Sequence, residues 1–599
     1  MSTSIRINKL EYNINKASIS EKYDFFSLET CEKYIKHGSY ILDASALCND
    51  IKAIKFESGK RVFIMMDKNS SNKSKIKDLI KAIDDGEYYS FLQQNPNDVD
   101  DSVIIQLLFN AIGSYESEML KFNNLTGHLY CFHPNWIKRG KEKNQSAIMK
   151  VPSLELSVTK DLCLKLFVRT FTSSRLKNKI TFKKKKFEDY PKYVFAANYT
   201  LRRKLKEDKE DCYILRQTDG MKSEITFLDI RSKDKFEQSK MGVLDNVIKT
   251  FNEKYSGICS IRFAEKTVDH RLDYSKAIQK ENIKRIRMIL SEKSIHIVDL
   301  ISDEYSKFFC EEIKNLIKIK YDIEASIDKK VDKDGLNILL VHNKEYYEGT
   351  NDPHDKLYDG VAVQHITFED FVDSSEFAIS TVVHEIIIKK DLEEGKISLF
   401  DWEQLGLSGT VSFGIEKEIN ESKRYFFMNV NFDGTFSITE QEFTLFEMNE
   451  YTGLVDLFEN AKSNNEVIKG VIRFENGSIA TIKDTGLFTI PEIEAIGELL
   501  SKGDNKLRGK ERREELLSSC LDIKSYSEKN ADYYFVGTIG EGMRPNIQKG
   551  SVIRKIEGDT DVVGLDKILP LMNVPFVING QLTAVPFPFK YLREYVCSL

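Results

Sequence analysis

The chain has 599 residues, 41% hydrophobic and 30% charged, with 88 basic against 93 acidic side chains and a formal net charge of -5. At roughly 150 residues per domain that length is a prior for about four domains. The balance excludes a small disulfide scaffold, a wholly disordered chain and a histone-like polycation, so a nucleic-acid surface requires local segregation of charge.

Nine cysteines are scattered without a C-x-x-C pair, which predicts reduced thiols and no structural zinc. Residues Met1 to Lys9 carry no apolar leader core, and no apolar run approaches the ~18–20 residues of a membrane span. A cytoplasmic protein without a membrane partner is therefore expected. Walker, G-x-S-x-G and H-E-x-x-H motifs are missing; His384-Glu385 begins the last, but Ile388 stands where the second histidine belongs.

In chain order, Arg61 to Met66 reads as a strand, Asn95 to Asp101 as a loop, and Val103 to Phe122 as an amphipathic helix. Residues 175 to 206 hold twelve basic side chains against Glu188 and Asp189, a net +10 over 32 residues. Within them Lys183, Lys184, Lys185, Lys186, Arg202, Arg203 and Lys204 are candidates for contact with a nucleic-acid backbone, which rewards such a stripe through counterion release. A solvated loop and strand face is the alternative. The interleaved aromatics, Phe182, Phe187, Tyr190, Tyr193, Phe195 and Tyr199, are as compatible with a core as with base stacking.

Met241 to Tyr255 and Lys276 to Leu290 read as helices. From Ile295 short apolar strands alternate with helices: strands at Ile295 to Leu300, Leu336 to His342 and Val361 to Ile366, helices at Asp303 to Lys318 and Phe377 to Lys389. That order predicts an open α/β sheet of Rossmann type, which binds ligands at the carboxyl ends of its strands. Past residue 405 the texture is strand-rich, with a hairpin at Asp433-Gly434 expected to use a type I′ turn. Strands then alternate with helices, as in an RNase H-like sheet.

Five segments, in order, resemble prokaryotic Argonautes over roughly residues 295 to 599. They are Leu336 to His342 followed by Gly360-Val-Ala-Val-Gln364-His-Ile366; Val383-His-Glu-Ile-Ile-Ile-Lys389 with Trp402; Ser412-Phe-Gly-Ile-Glu416 with Asn431 to Thr435; Ile482-Lys-Asp-Thr-Gly-Leu-Phe-Thr-Ile-Pro-Glu492; and Val585-Pro-Phe-Pro-Phe-Lys-Tyr591. The resemblance implies an α/β, multidomain, bilobed Argonaute-like fold with a Rossmann-like MID domain at 295–404 and an RNase H-like PIWI domain at 405–599. Ahead of them would lie an N-terminal α+β domain at 1–165 and a basic linker region at 166–294, of L1/L2 type with room for a reduced PAZ module. By the same resemblance Lys344, Tyr347, Gln364 and Lys389 would hold the guide's 5′ phosphate, with Tyr346 nearby, and a Mg2+ ion would bridge that phosphate to the terminal carboxylate of Leu599.

Slicing in that family needs about four carboxylate-type ligands for two metal ions. Only Glu416 and Asp484 stand near the matching positions; Lys483 replaces an arginine, and Leu571 to Phe587 contains no Asp or His. The resemblance thus implies a guide-directed binder that does not cut. Its partners would be a short guide DNA or RNA, target DNA from plasmid or phage, and a separate effector protein of nuclease or helicase-nuclease type. Two alternatives stay open: an active nuclease, either guide-dependent or of restriction type (Glu421-Ser-Lys423 has E-x-K spacing), and an unguided nucleic-acid-binding assembly protein.

Overall fold

The computed structural model describes residues 4–30, 50–57, 61–84, 89–114, 121–125, 127–142, 145–179, 187, 190–195, 201–204, 208, 211–216, 225–267, 270–272, 276–347, 351–356, 358, 360–400, 402, 409–419, 421–442, 449–463, 466–503, 523–528, 531–535, 546–547, 552–558, 571 and 587–598. The first strand, β1 (Ser4–Ile14), alternates apolar and polar residues, and its Ile5, Ile7 and Leu10 are buried. A four-stranded antiparallel sheet follows within residues 23–94, with Phe26, Leu28, Ile54 and Ile64 packed on Ile76 and Ile80 of the helix Asn72–Asp84.

Helix α1 (Asp101–Asn110) starts on Asp100, whose carboxylate accepts from the Ser102 amide at 2.8 Å. The helix expected to reach Phe122 ends at Asn110, and Lys121–Leu125 is a strand. Gly113 and Ser114 are weak helix formers, and the Asn110 side chain is tied to other elements: its Nδ2 donates to Ile54 O and Gly127 O, both at 2.7 Å. Residues 121–216 then build an eight-stranded sheet. The boundary expected between residues 165 and 166 falls inside its strand Leu164–Ser173.

Helix α2 (Lys240–Lys254) is capped by Ser239 and buries Val243, Leu244, Val247 and Phe251. It leads into β2 (Cys259–Thr267), which pairs antiparallel with β1. One core joins β1, α1, α2, the eight-stranded sheet and a helix near residue 496.

The next unit is a parallel sheet. Strand β3 (Ile295–Asp299) enters α3 (Glu304–Tyr321), which opens on an Asp303/Ser306 capping box and closes on Asp322 in the left-handed conformation. Strands β4 (Ser326–Asp328), β5 (Leu336–Val341) and β6 (Val363–Thr367) complete the order β4-β3-β5-β6, all parallel. The long helix α4 (Phe368–Glu394) follows, stopped by Gly395 at φ +68°. Ile297, Leu336, Ile338 and Leu340 pack toward α3 and α4, whereas Val298, Leu339, Val341 and Val363 pack on Val331, Tyr358 and Val361. The described residues between β5 and β6 include 3-10 turns at Lys344–Tyr347 and Pro353–Asp355.

The last unit is an antiparallel run: β7 (Val411–Ile419), β8 (Ser422–Val430) and β9 (Phe436–Glu442), helix α5 (Thr452–Ser463), then β10 (Ile468–Arg473) and β11 (Ile479–Ile490). After helix α6 (Ile493–Ser501), strand β12 (Val552–Gly558) pairs with β11, and β1 pairs with β11 at Arg6 and Ile7. The result is an 11-stranded sheet running β9-β8-β7-β10-β11-β12 at its best-described side. Strand β10 is antiparallel to β7. The turn at Asp433-Gly434 is not type I′, because only Gly434 has a positive φ, +83°. A Cβ at Gly434 would lie 2.2 Å from the Trp402 indole nitrogen, so glycine is required there twice over.

Helix α7 (Pro588–Ser598) closes the chain. Proline suits its first position, where no amide partner is needed. Its Phe589, Tyr591 and Leu592 are fully buried against Phe413, Gly470 and α4, so the parallel sheet and the large sheet share one core. No helix among the described residues is long and apolar enough to cross a membrane.

Candidate nucleic-acid interface

Strand β6, helix α4 and helix α7 bring five polar side chains together. Gln364 lies on β6 beside Ile366, whose side chain joins the helix-facing core. Its Nε2 donates to Glu385 Oε2 on α4 at 2.9 Å. One turn on, Lys389 Nζ donates to Val363 O at 2.8 Å. From α7, Lys590 Nζ lies 3.7 Å from Glu385 Oε1 and 3.8 Å from Glu594 Oε2. Burial lowers the pKa of Lys389, with Glu594 and Glu385 acting the other way. Burial raises that of Glu385, against the attraction of Lys590. Gln364 and Lys389, 25 positions apart, are thus gathered around one carboxylate. Such a group can hold a strand end by point charge and amide donation.

Lys344 and Tyr347 belong to a second group beyond β5. The Tyr347 hydroxyl accepts from the His342 amide at 3.1 Å, and its ring lies 6.0 Å from His354. His354 is 5.1 Å from His365. The exposed Lys344 is 3.7 Å from Asp355. The two groups meet around His365, whose pKa falls to about 4 through burial, helped by His354, Lys389 and Lys344. Of the four expected guide-binding residues, Gln364 and Lys389 belong to the first group and Lys344 and Tyr347 to the second. Tyr346 stacks on His342 at 3.9 Å.

The basic stripe is partly neutralised. Arg202 forms a two-pronged ion pair with Asp208, at 2.6 and 2.5 Å, and Lys204 donates to Asp208 O at 2.8 Å. The Arg203 guanidinium sits 5.7 Å over the Tyr193 ring. Asp208 lies just outside the window that sequence counting used, which is why the excess looked larger. Lys183, Lys184, Lys185 and Lys186 lie outside the described residues. Tyr193 is buried core, with Phe171 and Tyr213.

Glu416 and Asp484 point to opposite faces of the large sheet. Glu416 is opposite Tyr425, on the α5 side, and pairs with Lys462 of α5. Asp484 shares a face with Ala480 and Ile482, toward α7; it pairs with Arg554 and lies 2.8 Å from Lys469. Two carboxylates that face away from each other cannot ligate a shared metal pair. Glu421, of the E-x-K spacing, sits in the hairpin turn at φ +66°, and Lys423 pairs with Glu459 at 3.0 Å. Among the described residues no group of three or more His, Cys, Asp or Glu side chains is placed to hold a metal ion. The Mg2+ implied for the guide end does not fit the donors present: Lys590 stands between Glu385 and Glu594, where a cation would need to be, and Leu599 lies outside the described residues.

Sequence reading missed Glu385, Lys590 and Glu594. The signal was faint but present: Glu385 and Lys389 are one helical turn apart, as are Lys590 and Glu594.

No family model matches the chain, and no curated protein sequence matches it. Among solved structures it is similar to Drosophila Piwi, with 8% identity, 98% of this chain and 96% of that chain covered, and a TM-score of 0.41. It is similar to Marinitoga piezophila Argonaute in complex with 5′ OH guide RNA and target DNA, with 11% identity, coverage of 98% and 97%, and a TM-score of 0.33. The same Argonaute with 5′ OH guide RNA gives 10% identity, coverage of 98% and 97%, and a TM-score of 0.31.

Proposed function

We propose that the chain is a cytoplasmic, Argonaute-like protein that binds a short guide strand and uses it to recognise invading plasmid or phage DNA. The convergence of Gln364, Lys389 and Lys590 on one place, from β6, α4 and α7, carries the reading. In it the parallel sheet is a Rossmann-like MID unit and the large sheet an RNase H-like PIWI unit. The strand order β9-β8-β7-β10-β11 supports the second, although β10 runs against β7 where an RNase H-like sheet would run with it. Base pairing would supply specificity, leaving the protein to hold the strand's end and track its backbone.

The opposed placement of Glu416 and Asp484, each beside a cation, supports a binder without slicing activity. Such a protein acts through a separate effector of nuclease or helicase-nuclease type. Purification from the native cell tests the reading. Short strands of narrow length distribution are expected to co-purify, and the pair of changes Lys389→Ala and Lys590→Ala should reduce their yield about tenfold or more, the loss of roughly 1.4 kcal/mol. No bound strand, or fragments of every length, would refute it. Guide, matched target and Mg2+ together should leave the target intact; cutting abolished by Asp484→Ala would refute the non-slicing part.

A further inference from the structure

The inner side of α3 is covered: Cys310, Ile313 and Ile317 are buried in the shared core. The outer side of such a helix should be polar. Instead it presents Tyr305, Phe308 and Ile319, which are 74%, 67% and 80% exposed. Phe308 and Ile319 stand eleven positions apart, three full turns, so they share one side of the helix; Tyr305 is one turn before Phe308. The aromatic end is firmly seated. Phe308 meets Phe309 edge-on at 5.8 Å, and Phe309 lies 4.6 Å from Phe368 and 5.6 Å from Phe371 of α4. An apolar strip along one side of a packed helix marks an interaction surface, which a scattered single residue does not.

Charge selects the partner. Glu304, Glu311 and Glu312 each lie about one turn from Phe308, and none has an ion pair among the described residues. Residues 303–312 hold four acidic side chains against Lys307 alone, a net -3. Such a rim repels a phosphate backbone, so these rings are not a stacking platform for bases, which needs a positive groove. Two copies of the same face repel each other too, which disfavours a two-fold contact. A cationic helix is attracted. Its apolar side chains cover the strip, and its Lys and Arg stems lie along the edges with their charges at the carboxylates.

We propose that the outer side of α3, with Tyr305, Phe308 and Ile319 as anchors and Glu304, Glu311 and Glu312 as rim, docks a basic amphipathic helix of a separate protein. The surface is independent of the strand-binding group around Gln364, and the proposal does not rest on it.

The test uses the full chain and two synthetic peptides of 18 residues, the length of α3. Each is built as an amphipathic helix with leucine on one face; one carries lysine on the other face and one carries glutamate. The lysine peptide should bind with a micromolar Kd, at least about tenfold more tightly than the glutamate peptide. Tyr305→Ala combined with Phe308→Ala removes two rings and no charge, and should weaken the lysine peptide about tenfold or more. Glu304→Gln, Glu311→Gln and Glu312→Gln together should weaken it by a similar factor and flatten its salt dependence. These side chains lie on the outer side of the helix, so both variants should fold as the native chain does. No binding of the lysine peptide, or binding that survives loss of both rings, would overturn the proposal. A single DNA strand whose affinity falls with Phe308→Ala would overturn it in favour of base stacking. A Phe308-dependent dimer in sedimentation would overturn it in favour of a second copy of this chain.

Discussion

Phe589→Ala is expected to cost about 3–5 kcal/mol of folding stability, the range for removing a fully buried phenyl ring. The Phe589 ring has 0% exposure and meets Phe413 edge-on at 5.4 Å. It fills the space left open at Gly470, where a Cβ would come within 2.4 Å of it. The loss should appear as a lower urea midpoint with an unchanged slope. Since Lys590 rides on the same helix, the variant should also bind a guide strand less tightly. Phe432→Ala is the control: that side chain is 59% exposed, and its removal should change stability by less than about 0.5 kcal/mol. A cost for Phe589→Ala as small as the control's would show that α7 is not anchored in the common core.

The second large effect is a pH dependence. Asp391 on α4 is 1% exposed, and burial pushes its pKa from 3.8 to about 6. Hydrogen bonds from the Tyr591 hydroxyl at 2.5 Å and the Ser398 amide at 2.9 Å act against the rise without cancelling it. The fold thus holds a proton that the unfolded chain releases more readily. Its contribution to stability is fully present below the unfolded value, 3.8, and is lost as pH climbs through about 6. About two units correspond to roughly 3 kcal/mol. Asp391→Asn keeps an acceptor for both donors and cannot ionise. The stability of the variant relative to the native chain should therefore rise by about 2 kcal/mol between pH 4 and pH 7. A difference that is flat across that range would mean Asp391 is not charged at a cost in the folded state.

The parallel unit was well legible in the sequence. Its strands are short and almost wholly apolar, its helices carry capping residues at Asp303 and a stop at Gly395, and such local signals survive folding. The helix expected from Val103 to Phe122 shows the opposite case. Apolar spacing continued past Asn110, but that residue's side-chain Nδ2 bonds carbonyls of two other segments, a requirement that periodicity does not reveal. The same holds for the sites. Gln364 and Lys389 were legible as candidates because each stands in a recognisable segment. Glu385 was not, because its cationic partner Lys590 comes from another helix about 200 residues away. Glu416 and Asp484 looked like a pair in one dimension; strand alternation and the irregular pairing near Ile468 and Gly470 put them on opposite faces. Two counter-charges of the basic stripe, Asp208 and Asp211, stand just beyond its end in the sequence and pair back with Arg202 and Arg175.

The central claim is that a strand's 5′ end is held between β6, α4 and α7. A strand carrying a photoreactive group on its 5′-terminal nucleotide, crosslinked to the full chain and mapped by mass spectrometry, tests it most directly. Adducts are expected on residues 363–367, 385–390 and 588–598, and an excess of unlabelled strand should abolish them. Adducts confined to residues 192–216, with none on α4 or α7, would contradict the claim.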